Sequence, residues 1–520
     1  MFYLHYLGRT SSLSCMTKPK IHTPNHKACA KRQSMNVKET VMSSKMLKFV
    51  NTEKAMPKKR KAETRKFDFD EIYAEFSEQK AEEQASRCSQ CGVPFCQVNC
   101  PLHNNIPDWL MLTAEGRMQE AYEVSSATNT FPEICGRICP QDRLCEGNCV
   151  IEKGFESVTI GAVERHITET AFDNGWVKPI APSVEKEQSV GIIGAGPAGL
   201  AAADLLRRKG YQVVIYDRYD RAGGLLIYGI PGFKLEKEIV TRRYELLEQG
   251  GVSFRLNCEI GRDISFDELR AKHDAVLIAT GVYKARDISL PGSDLKGVVP
   301  ALDFLIASNR KSLGDKVPTF DDGTLNADGK DVVVVGGGDT AMDCVRTAIR
   351  QNANSVTCLY RRDKANMPGS QREVQNAEEE GVNFQWLSAP SQFLGQDKIT
   401  SVQAQRIHLG QPDATGRQVP NLLPGSEFDV SADIVIKALG FDPEDLPGMF
   451  HQPALEVSKW GTLSINWKTM QTAIEGVFAA GDIVRGASLV VWGVRDGRDA
   501  AEQIDSFIIK SSQEKIQAAE

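Results

Sequence analysis

The side chains with the most chemistry in this sequence are cysteines, and most of them lie in one segment. Of the 13 cysteines among 520 residues, eight fall between positions 88 and 149. They form two runs with the spacings C-x2-C-x4-C-x3-C-P and C-x3-C-P-x4-C-x3-C, namely Cys88, Cys91, Cys96 and Cys100, then Cys135, Cys139, Cys145 and Cys149. Because no secretory signal with a compact apolar core opens the chain, we expect metal ligands rather than disulfides.

Two glycine-rich turns are the second pattern with chemical meaning. The first begins at Gly194 after a short apolar strand pattern and continues through Gly196, Pro197 and Gly199, and the next strand pattern ends at Asp217. In a dinucleotide-binding unit, the first glycine permits a tight turn and the second lets the pyrophosphate approach the backbone. The third lets the helix pack closely, and the acid binds a ribose hydroxyl. This register predicts a nucleotide site.

The second turn repeats the motif with alanine in place of the third glycine. Its candidate cofactor contacts are Gly336, Gly338, Asp339 and Thr340. The following strand pattern ends in Arg361 and Arg362 rather than in an acid. An acid would repel a 2′-phosphate, whereas arginine can bind one, so the pair favours NADPH over NADH. A solvated pair of surface arginines is the alternative interpretation.

Three further short motifs are distributed around these two units. They supply the candidate contacts Gly223, Gly224, Thr280, Gly281, Gly481 and Asp482. Over residues 186–505 the arrangement resembles the flavoprotein reductases with two dinucleotide domains, in which an NAD(P)H domain interrupts the FAD domain. This resemblance implies that Asp482 lies beside the ribityl chain of the flavin.

The cysteine spacing alone leaves two kinds of metal site open. Zinc can be bound by four cysteines from such a set. The Cys-Pro endings, however, are similar to bacterial ferredoxin runs, whose last cysteine serves the other cluster. A flavin reductase also needs an outlet for single electrons, because a hydride delivers two electrons together. We therefore predict iron–sulfur clusters, with a zinc-dependent nucleic-acid-binding module as the alternative.

From about Phe67 to Ile508 the sequence resembles the small (beta) subunit of NADPH-dependent glutamate synthase. The resemblance is carried by residues 88–96, 99–107, 138–149, 161–165, 361–363 and 481–482. It implies that one [4Fe–4S] cluster is bound by Cys88, Cys91, Cys96 and Cys149, and a second by Cys100, Cys139, Cys145 and Glu164. Cys135 is then left as a buried thiol near a cluster.

The resemblance also implies the reaction and the partner. NADPH reduces FAD, and single electrons pass through the two clusters to a large (alpha) subunit that makes L-glutamate from L-glutamine and 2-oxoglutarate. No catalytic side chain is required, because the cofactors supply the chemistry. The same module occurs in dihydropyrimidine dehydrogenase and in NADPH–ferredoxin transhydrogenases, so the NADPH-oxidising subunit of either is the alternative function.

The motifs predict an α/β fold with two Rossmann-like dinucleotide-binding domains. The resemblance implies that the NADPH domain is inserted in the FAD domain and that a mainly helical iron–sulfur domain precedes both. The expected divisions are a disordered basic tail 1–66, an iron–sulfur domain 67–185, FAD-domain parts 186–290 and 441–508, an NADPH domain 291–440 and a C-terminal tail 509–520. The apolar spacing of Phe69, Ile72, Tyr73 and Phe76 predicts a helix at the start of the iron–sulfur domain.

Charge is distributed unevenly along the chain. Residues 1–66 contain 16 Lys and Arg residues against three acidic ones, a net charge of +13, so the rest carries −19 of the total −6. The acidic body argues against nucleic-acid binding. Composition and the absence of a long apolar run predict a cytoplasmic protein without membrane partners.

Overall fold

The computed structural model describes residues 45–413 and 418–519, and its N-terminal part is helical. After a 3-10 turn at Lys48–Val50 the helices are α1 (Ala62–Arg65), α2 (Glu78–Ala85), α3 (Phe95–Val98), α4 (Ile106–Ala114), α5 (Met118–Thr128), α6 (Pro132–Ile138), α7 (Glu152–Phe155) and α8 (Ile160–Asp173). Ser77 caps α2 by accepting a hydrogen bond from the Lys80 backbone. Proline in the first turn of α4 and of α6 fixes where those helices begin.

Residues 45–66 belong to this folded body, whereas the sequence predicted a disordered tail up to residue 66. Arg65 is 1% exposed, and its Nε donates to Glu380 Oε1 at 2.8 Å. The backbone N–H of Ala55 donates to Gln84 Oε1 at 2.9 Å. The sequence did not predict the folded state of these residues, because their contacts are polar and are made with residues far along the chain, whereas sequence patterns report periodic apolar residues. The part of the predicted tail before residue 45 lies outside the described residues.

The predicted helix at Phe69 is also corrected by the structure. Residues 67–77 contain no helix, and Tyr73 instead pairs with Lys59 in an antiparallel bridge. The N–H of Ile72 donates to the carbonyl oxygen of Phe233 at 3.4 Å. Ile72 and Phe76 are buried, so their spacing reflects the packing of an extended segment rather than one face of a helix.

The next segment forms a parallel sheet covered by helices. Its elements are β1 (Ser189–Ile193), α9 (Pro197–Arg208), β2 (Gln212–Tyr216), α10 (Leu225–Tyr228), α11 (Lys237–Gln249), β3 (Ser253–Arg255), α12 (Phe266–Lys272), β4 (Ala275–Ile278) and β5 (Lys284–Ala285). Strands β4, β1, β2 and β3 lie side by side in that order, all parallel. The buried strands are rich in Val and Ile, as both faces of a parallel sheet are covered.

A second unit follows before the first is complete. It contains β6 (Val298–Pro300), α13 (Ala301–Ser312), α14 (Pro318–Asp321), β7 (Asp331–Val335), α15 (Asp339–Arg350), β8 (Ser355–Tyr360), α16 (Gln371–Glu379), β9 (Asn383–Trp386), β10 (Ser388–Gly395), β11 (Ile399–Pro412), β12 (Gln418–Ser431), β13 (Ile434–Lys437) and β14 (Phe441–Asp442). A parallel sheet has the order β6-β13-β7-β8-β9, and β10, β11 and β12 form an antiparallel sheet. Strand β14 pairs with β5, where the chain leaves and re-enters the first unit.

The C-terminal part completes the first unit. Its elements are α17 (Leu446–Met449), β15 (Val477–Ala479), α18 (Asp482–Arg485) and α19 (Val490–Ala519). Strand β15 pairs with β4, and α19 packs on α9 so closely that a Cβ on Gly497 would lie 2.1 Å from the carbonyl oxygen of Ala198. The predicted fold class, with one Rossmann-like unit inserted in another after a mainly helical domain, is confirmed. No helix among the described residues, α19 included, is both long and apolar enough to cross a membrane.

Candidate cofactor sites

The first glycine turn, between β1 and α9, has the shape that a dinucleotide requires. Gly194 has a φ of +109°, and a Cβ there would lie 2.3 Å from the carbonyl oxygen of Ala279. A Cβ on Gly199 would lie 2.0 Å from the Gly194 oxygen, so the third glycine permits close helix packing. A Cβ on Gly196 would meet no protein atom within 4 Å, which leaves space for a ligand. Pro197 starts α9 and lines the same space.

Asp217 ends β2 beside this turn, at the position predicted for a ribose-binding acid. Its Oδ2 accepts a hydrogen bond from the Ala195 N–H at 2.6 Å, and its Oδ1 accepts one from the Tyr219 N–H at 2.8 Å. Burial raises the pKa of Asp217, and these two backbone hydrogen bonds oppose the rise. Each oxygen keeps a second lone pair, so the carboxylate can accept ribose hydroxyl protons while its own orientation stays fixed.

The turn, Asp217 and the ends of neighbouring strands line one cleft of about 670 Å³. The predicted contacts that line it are Gly194, Gly196, Pro197, Asp217, Thr280, Gly281, Gly481 and Asp482. Thr280 Oγ1 is buried and has no hydrogen-bond partner among the described residues. An unpaired buried hydroxyl is costly, so the polar atoms of a bound cofactor suit this position. A neighbouring cleft of about 470 Å³ shares Gly194, Asp217 and Thr280.

Gly223 and Gly224 support the turn instead of lining the cleft. The Gly223 N–H donates to the carbonyl oxygen of Ala195 at 2.8 Å. A Cβ on Gly224 would lie 2.9 Å from the Cα of Gly196. Both glycines have positive φ, of +121° and +55°. A side chain at Gly224 would therefore push into the turn that the sequence assigns to the pyrophosphate.

Asp482 reaches the cleft from β15, as the first residue of α18. Its Oδ1 accepts a hydrogen bond from Ser488 Oγ at 2.6 Å. Burial raises the pKa of Asp482, and the hydrogen bonds from Ser488 oppose this. Gly481 has a φ of +79°, and a Cβ there would lie 2.9 Å from the Cβ of Ala198. This glycine therefore lets the end of β15 approach the start of α9.

Sequence reasoning missed several residues of this cleft. They are Tyr283, Ser488, Leu489, Val490 and Gly493. The ring of Tyr283 lies 5.8 Å from that of Tyr219, and the guanidinium of Arg218 lies 4.9 Å from the Tyr283 ring centre. Tyr283 follows the Thr-Gly motif by two residues, and the other four follow the Gly-Asp motif by six to eleven residues. None belongs to a motif, so the sequence offered no signal for them except that they come after one.

The second glycine turn, between β7 and α15, repeats the geometry of the first. Gly336 has a φ of +150°, and a Cβ there would lie 2.3 Å from the carbonyl oxygen of Ala438. A Cβ on Gly338 would meet no protein atom within 4 Å. Ala341, which replaces the third glycine, is fully buried. The turn thus leaves the same open space beside its second glycine, next to the N-terminus of a helix.

Arg361 and Arg362 follow β8 at the edge of the sheet that also carries the second turn. Arg361 is exposed, and Arg362 Nη2 donates to the carbonyl oxygen of Gln418 at 3.4 Å. Arg362 Nε is buried and has no hydrogen-bond partner among the described residues. A buried guanidinium N–H without a protein acceptor fits an anionic ligand, such as a 2′-phosphate.

Asp339 and Thr340 are the first two residues of α15, and Asp339 is held from two sides. Its Oδ1 accepts a hydrogen bond from the Ser370 N–H at 2.9 Å, and its Oδ2 accepts one from Arg143 Nη2 at 3.2 Å. Arg143 also donates to the carbonyl oxygen of Pro368. Because Arg143 lies in the cysteine-rich segment, that segment is anchored at the second nucleotide turn. The sequence did not predict this link.

The structure brings Cys88, Cys91, Cys96 and Cys149 into one group. Burial raises the pKa of Cys88 to about 11 and that of Cys96 to about 12, and the charges of Cys149 and Cys91 add to both shifts. Cys91 and Cys149 are half-buried. A bound cation favours the thiolate form of a cysteine, so four cysteines grouped in this way fit iron ligation.

Cys100, Cys139 and Cys145 form a second group around Glu164. Burial raises the pKa of Cys100 to about 11, and the charge of Glu164 adds to this shift. Burial also raises the pKa of Cys145, with contributions from Cys100 and Glu164 among others. The pKa of Cys139 is raised first by a hydrogen bond with Cys135, then by burial. Cys135 also acts on the pKa of Cys100 and of Cys139, so it lies in the same group as these cysteines and Glu164. The choice of Cys100, Cys139, Cys145 and Glu164 as the ligands of a second cluster stays a prediction.

Glu164 lies on α8 and is held by two amide groups. Its Oε1 accepts hydrogen bonds from Asn104 Nδ2 at 2.9 Å and from Asn129 Nδ2 at 3.0 Å. Burial raises the pKa of Glu164 to about 8 in spite of these two bonds. A carboxylate whose charged form is disfavoured by burial is stabilised by a bound cation. The carboxylate therefore fits the role of a fourth iron ligand.

The second cysteine group contacts two cores, since Cys100 and Cys145 pack against the helical core that also contains members of the first group. Three members of the first group lie in or against the core of the helical domain. Cys100 and Cys139 of the second group pack against the core of the first dinucleotide unit. Arg495 of α19 donates to the carbonyl oxygen of Pro101 at 2.6 Å, directly after Cys100. Since Val490, the first residue of α19, lines the 670 Å³ cleft, this helix joins the cleft to the second group.

The arrangement of the cysteines differs from that of a site for a single metal ion. Within residues 45–413 and 418–519, no three His, Cys, Asp or Glu side chains converge on one point that suits a lone metal ion. In a [4Fe–4S] cluster each protein ligand binds a different iron atom, so the ligands surround the cluster and do not converge on one ion. The grouping of the cysteines is therefore compatible with clusters.

Comparisons with known proteins agree with this arrangement. Residues 65–176 match the family described as dihydropyrimidine dehydrogenase domain II, 4Fe-4S cluster, and residues 188–497 match pyridine nucleotide-disulphide oxidoreductase. The chain is 66% identical over 466 residues to the glutamate synthase [NADPH] small chain of Azospirillum brasilense, covering 89% of this chain and 97% of that protein. It is 46% identical to the small chain of Escherichia coli K12, covering 90% and 100%. The fold is similar to that of Mycobacterium tuberculosis FprA in complex with NADPH, with 19% identity, a TM-score of 0.54 and coverage of 64% and 86%.

The fold and the sites together define an NADPH-dependent flavoprotein oxidoreductase with an N-terminal 4Fe–4S domain. Within that class, the similarity to the Azospirillum and Escherichia proteins extends over nearly their whole length. The chain therefore belongs to the family of glutamate synthase [NADPH] small chains.

Proposed function

We propose that this chain is the NADPH-oxidising small subunit of a glutamate synthase. It accepts electrons from NADPH and delivers them to a large (alpha) subunit, which makes L-glutamate from L-glutamine and 2-oxoglutarate. FAD and two [4Fe–4S] clusters supply hydride acceptance and single-electron transfer when bound. The observation that carries this proposal is the presence in one chain of two complete dinucleotide turns and two grouped sets of cluster ligands.

The residues proposed to hold FAD surround the first turn. They are Gly194, Gly196, Pro197, Gly199, Asp217, Thr280, Gly281, Gly481 and Asp482, and Gly223 and Gly224 contribute by supporting the turn. The space beside Gly196 and the unpaired Thr280 hydroxyl support this assignment. Asp217 fixes a ribose by accepting its hydroxyl protons, and the N-terminus of α9 stabilises phosphate charge.

The residues proposed to hold NADPH surround the second turn. They are Gly336, Gly338, Asp339, Thr340, Arg361 and Arg362. The space beside Gly338 and the unpaired Nε of Arg362 support this assignment. The arginines provide the positive charge that distinguishes a 2′-phosphate from a 2′-hydroxyl.

The ligands proposed for the two clusters are the two groups described above. Cys88, Cys91, Cys96 and Cys149 bind one cluster, and Cys100, Cys139, Cys145 and Glu164 bind the other. The packing of Cys100 and Cys139 against the first dinucleotide unit supports the second set as the one nearer to the FAD site. Cys88 and Cys96 of the first set are buried in the helical core, and we propose that this set passes electrons on to the partner subunit.

Reconstitution with the large subunit tests this function. The chain alone is expected to reduce an artificial dye with NADPH. With the large subunit present, NADPH oxidation is expected to require both L-glutamine and 2-oxoglutarate. Failure of the chain to bind that subunit or to support this activity would contradict the proposal. A cytoplasmic location stays a prediction from composition.

The match of residues 65–176 to dihydropyrimidine dehydrogenase domain II favours one other candidate. The chain would then be the NADPH-oxidising part of a dihydropyrimidine dehydrogenase or of an NADPH–ferredoxin transhydrogenase. Uracil-dependent or ferredoxin-dependent NADPH oxidation by the complex purified from its source would support this candidate and exclude the first.

A further inference from the structure

The hydrogen bonds on Glu164 are unusual because both come from buried asparagines and both end on the same oxygen. Asn104 precedes α4 and is 2% exposed, and Asn129 follows α5 and is 1% exposed. Their amide nitrogens lie 2.9 Å and 3.0 Å from Glu164 Oε1. Three separate elements thus contribute to the orientation of one carboxylate.

Each amide is held in turn by a second contact. Thr128 Oγ1 donates to Asn104 Oδ1 at 2.8 Å. Asn129 Oδ1 accepts hydrogen bonds from the Phe131 N–H at 3.0 Å and from Cys135 Sγ at 3.7 Å. Because the oxygen of each amide already accepts from a donor, the nitrogen is the atom that faces Glu164. The network therefore fixes the position of the carboxylate and determines which groups donate hydrogen bonds to it.

We propose that Asn104 and Asn129 are positioning residues that make Glu164 a ligand through Oε2 and raise the reduction potential of the second cluster. The inference rests on the proposed function, because it takes Glu164 as the fourth ligand. The two N–H groups draw negative charge toward Oε1, so the carboxylate donates less charge to iron. A cluster with less negative charge from its ligands accepts an added electron more readily.

Asn104→Leu tests the inference, because it removes the amide and keeps a side chain of similar size. Asn105→Leu is the matched control, since Asn105 bonds to Gln97 through its Oδ1 at 3.1 Å. We expect Asn104→Leu to retain two clusters by iron and sulfide content. In a redox titration followed by electron paramagnetic resonance, the reduction equilibrium of one cluster should shift about tenfold toward the oxidised form. This corresponds to a potential about 59 mV lower. The control should leave both potentials unchanged.

Thr128→Val provides a second variant if Asn104→Leu fails to fold or to assemble its clusters. It removes only the hydroxyl that orients Asn104 and should shift the same potential in the same direction by a smaller amount. In a Glu164→Ala background, the effect of Thr128→Val on that cluster should disappear. Unchanged potentials in every variant that assembles both clusters would overturn the inference.

The failure of this inference is distinguishable from failure of the proposed function. Wild-type protein without iron and sulfide would contradict the function itself. If the wild-type protein contains two clusters, and neither Asn104→Leu nor Thr128→Val changes their reduction potentials, the inference alone would be overturned. Loss of a cluster in Cys135→Ser but not in Glu164→Ala would make Cys135 the ligand, and the inference would also be wrong.

Discussion

Gly196 and Gly338 occupy equivalent positions in the two turns, and a Cβ at either would meet no protein atom within 4 Å. The motif alone indicated both glycines, because the spacing of G-x-G reports a backbone conformation. Thr280 and Arg362 were also predicted from their register after a strand. Asn104, Asn129 and Tyr283 were not, because their roles depend on contacts between segments that no local pattern records.

Replacing Arg361 and Arg362 together with alanine should weaken NADPH binding selectively. Hydrogen bonds to a charged group contribute about 1.5–3 kcal/mol, so we expect the KM for NADPH to rise about 10- to 100-fold. The KM for NADH should change little, because NADH carries no 2′-phosphate. Steady-state dye reduction with each nucleotide measures both values.

Arg262→Ala is the control for general effects of arginine removal. Arg262 is exposed and pairs with Glu259 and Asp263, two neighbouring acids on the surface of the first unit. The Arg262→Ala variant should have the same KM for NADPH and for NADH as the wild-type protein. Equal increases for NADPH and NADH in the double variant would show that the arginines do not recognise the 2′-phosphate.

At the level of elements, the loop between Cys139 and Cys145 joins two sites that the sequence treated separately. Asp142 accepts hydrogen bonds from Ser370 Oγ and from the Gln371 N–H, both at 3.2 Å. Arg143 bonds to Asp339 at the start of α15. The loop that carries two proposed cluster ligands is therefore in contact with the helix proposed to face the NADPH phosphates.

Arg143→Ala should raise the KM for NADPH and leave kcat for dye reduction nearly unchanged. The guanidinium offsets the charge of Asp339 beside the nucleotide turn and holds the neighbouring loop through Pro368. Since the pair is partly exposed, its loss costs about 0.2–1 kcal/mol, which corresponds to a KM increase of up to about fivefold. NADPH-dependent dye kinetics measure both constants.

Arg117→Ala is the matched control in the same domain. The Arg117 side chain is 47% exposed and pairs with Glu115 and Glu120, whereas that of Arg143 is 41% exposed. The control should leave the KM for NADPH unchanged. A fall in kcat without a rise in KM for Arg143→Ala would contradict a role in the NADPH site.

At the scale of the whole molecule, the N-terminal segment is tied to the second dinucleotide unit through buried charges. Glu380 accepts hydrogen bonds from Arg65, Arg346 and Arg350. Burial would raise the pKa of Glu380, but the hydrogen bonds from Arg350 and Arg346 hold it well below its usual range. The carboxylate therefore stabilises the fold above its unfolded pKa of about 4.3, and this stability is lost as the pH falls toward the folded pKa.

Arg65→Met should lower the free energy of unfolding by about 1.5–3 kcal/mol at pH 7, because a charged hydrogen bond to a buried carboxylate is lost. Urea denaturation followed by circular dichroism measures the change. Lys61→Met, at an exposed position of the same segment, should have an effect close to zero. Equal stability of both variants would show that residues 45–66 do not stabilise the body through Arg65.

The order of domains followed from the sequence because each is opened by a local motif or a change of pattern. The strand patterns predicted before the first glycine turn, before Asp217 and before Arg361 correspond to β1, β2 and β8, since buried apolar runs beside such motifs are distinctive. The folded state of residues 45–66 and the extended form of residues 67–77 were not predicted. Both depend on contacts with the second unit and with Phe233, which lie far along the chain.

The most direct test of the central claim is an anaerobic NADPH titration of the purified chain, followed by absorbance and electron paramagnetic resonance. The account predicts one FAD and two [4Fe–4S] clusters per chain, with NADPH bleaching the flavin and reducing equivalents reaching at least one cluster. Flavin bleaching in a protein that contains no iron or sulfide, or that contains zinc instead, would contradict it.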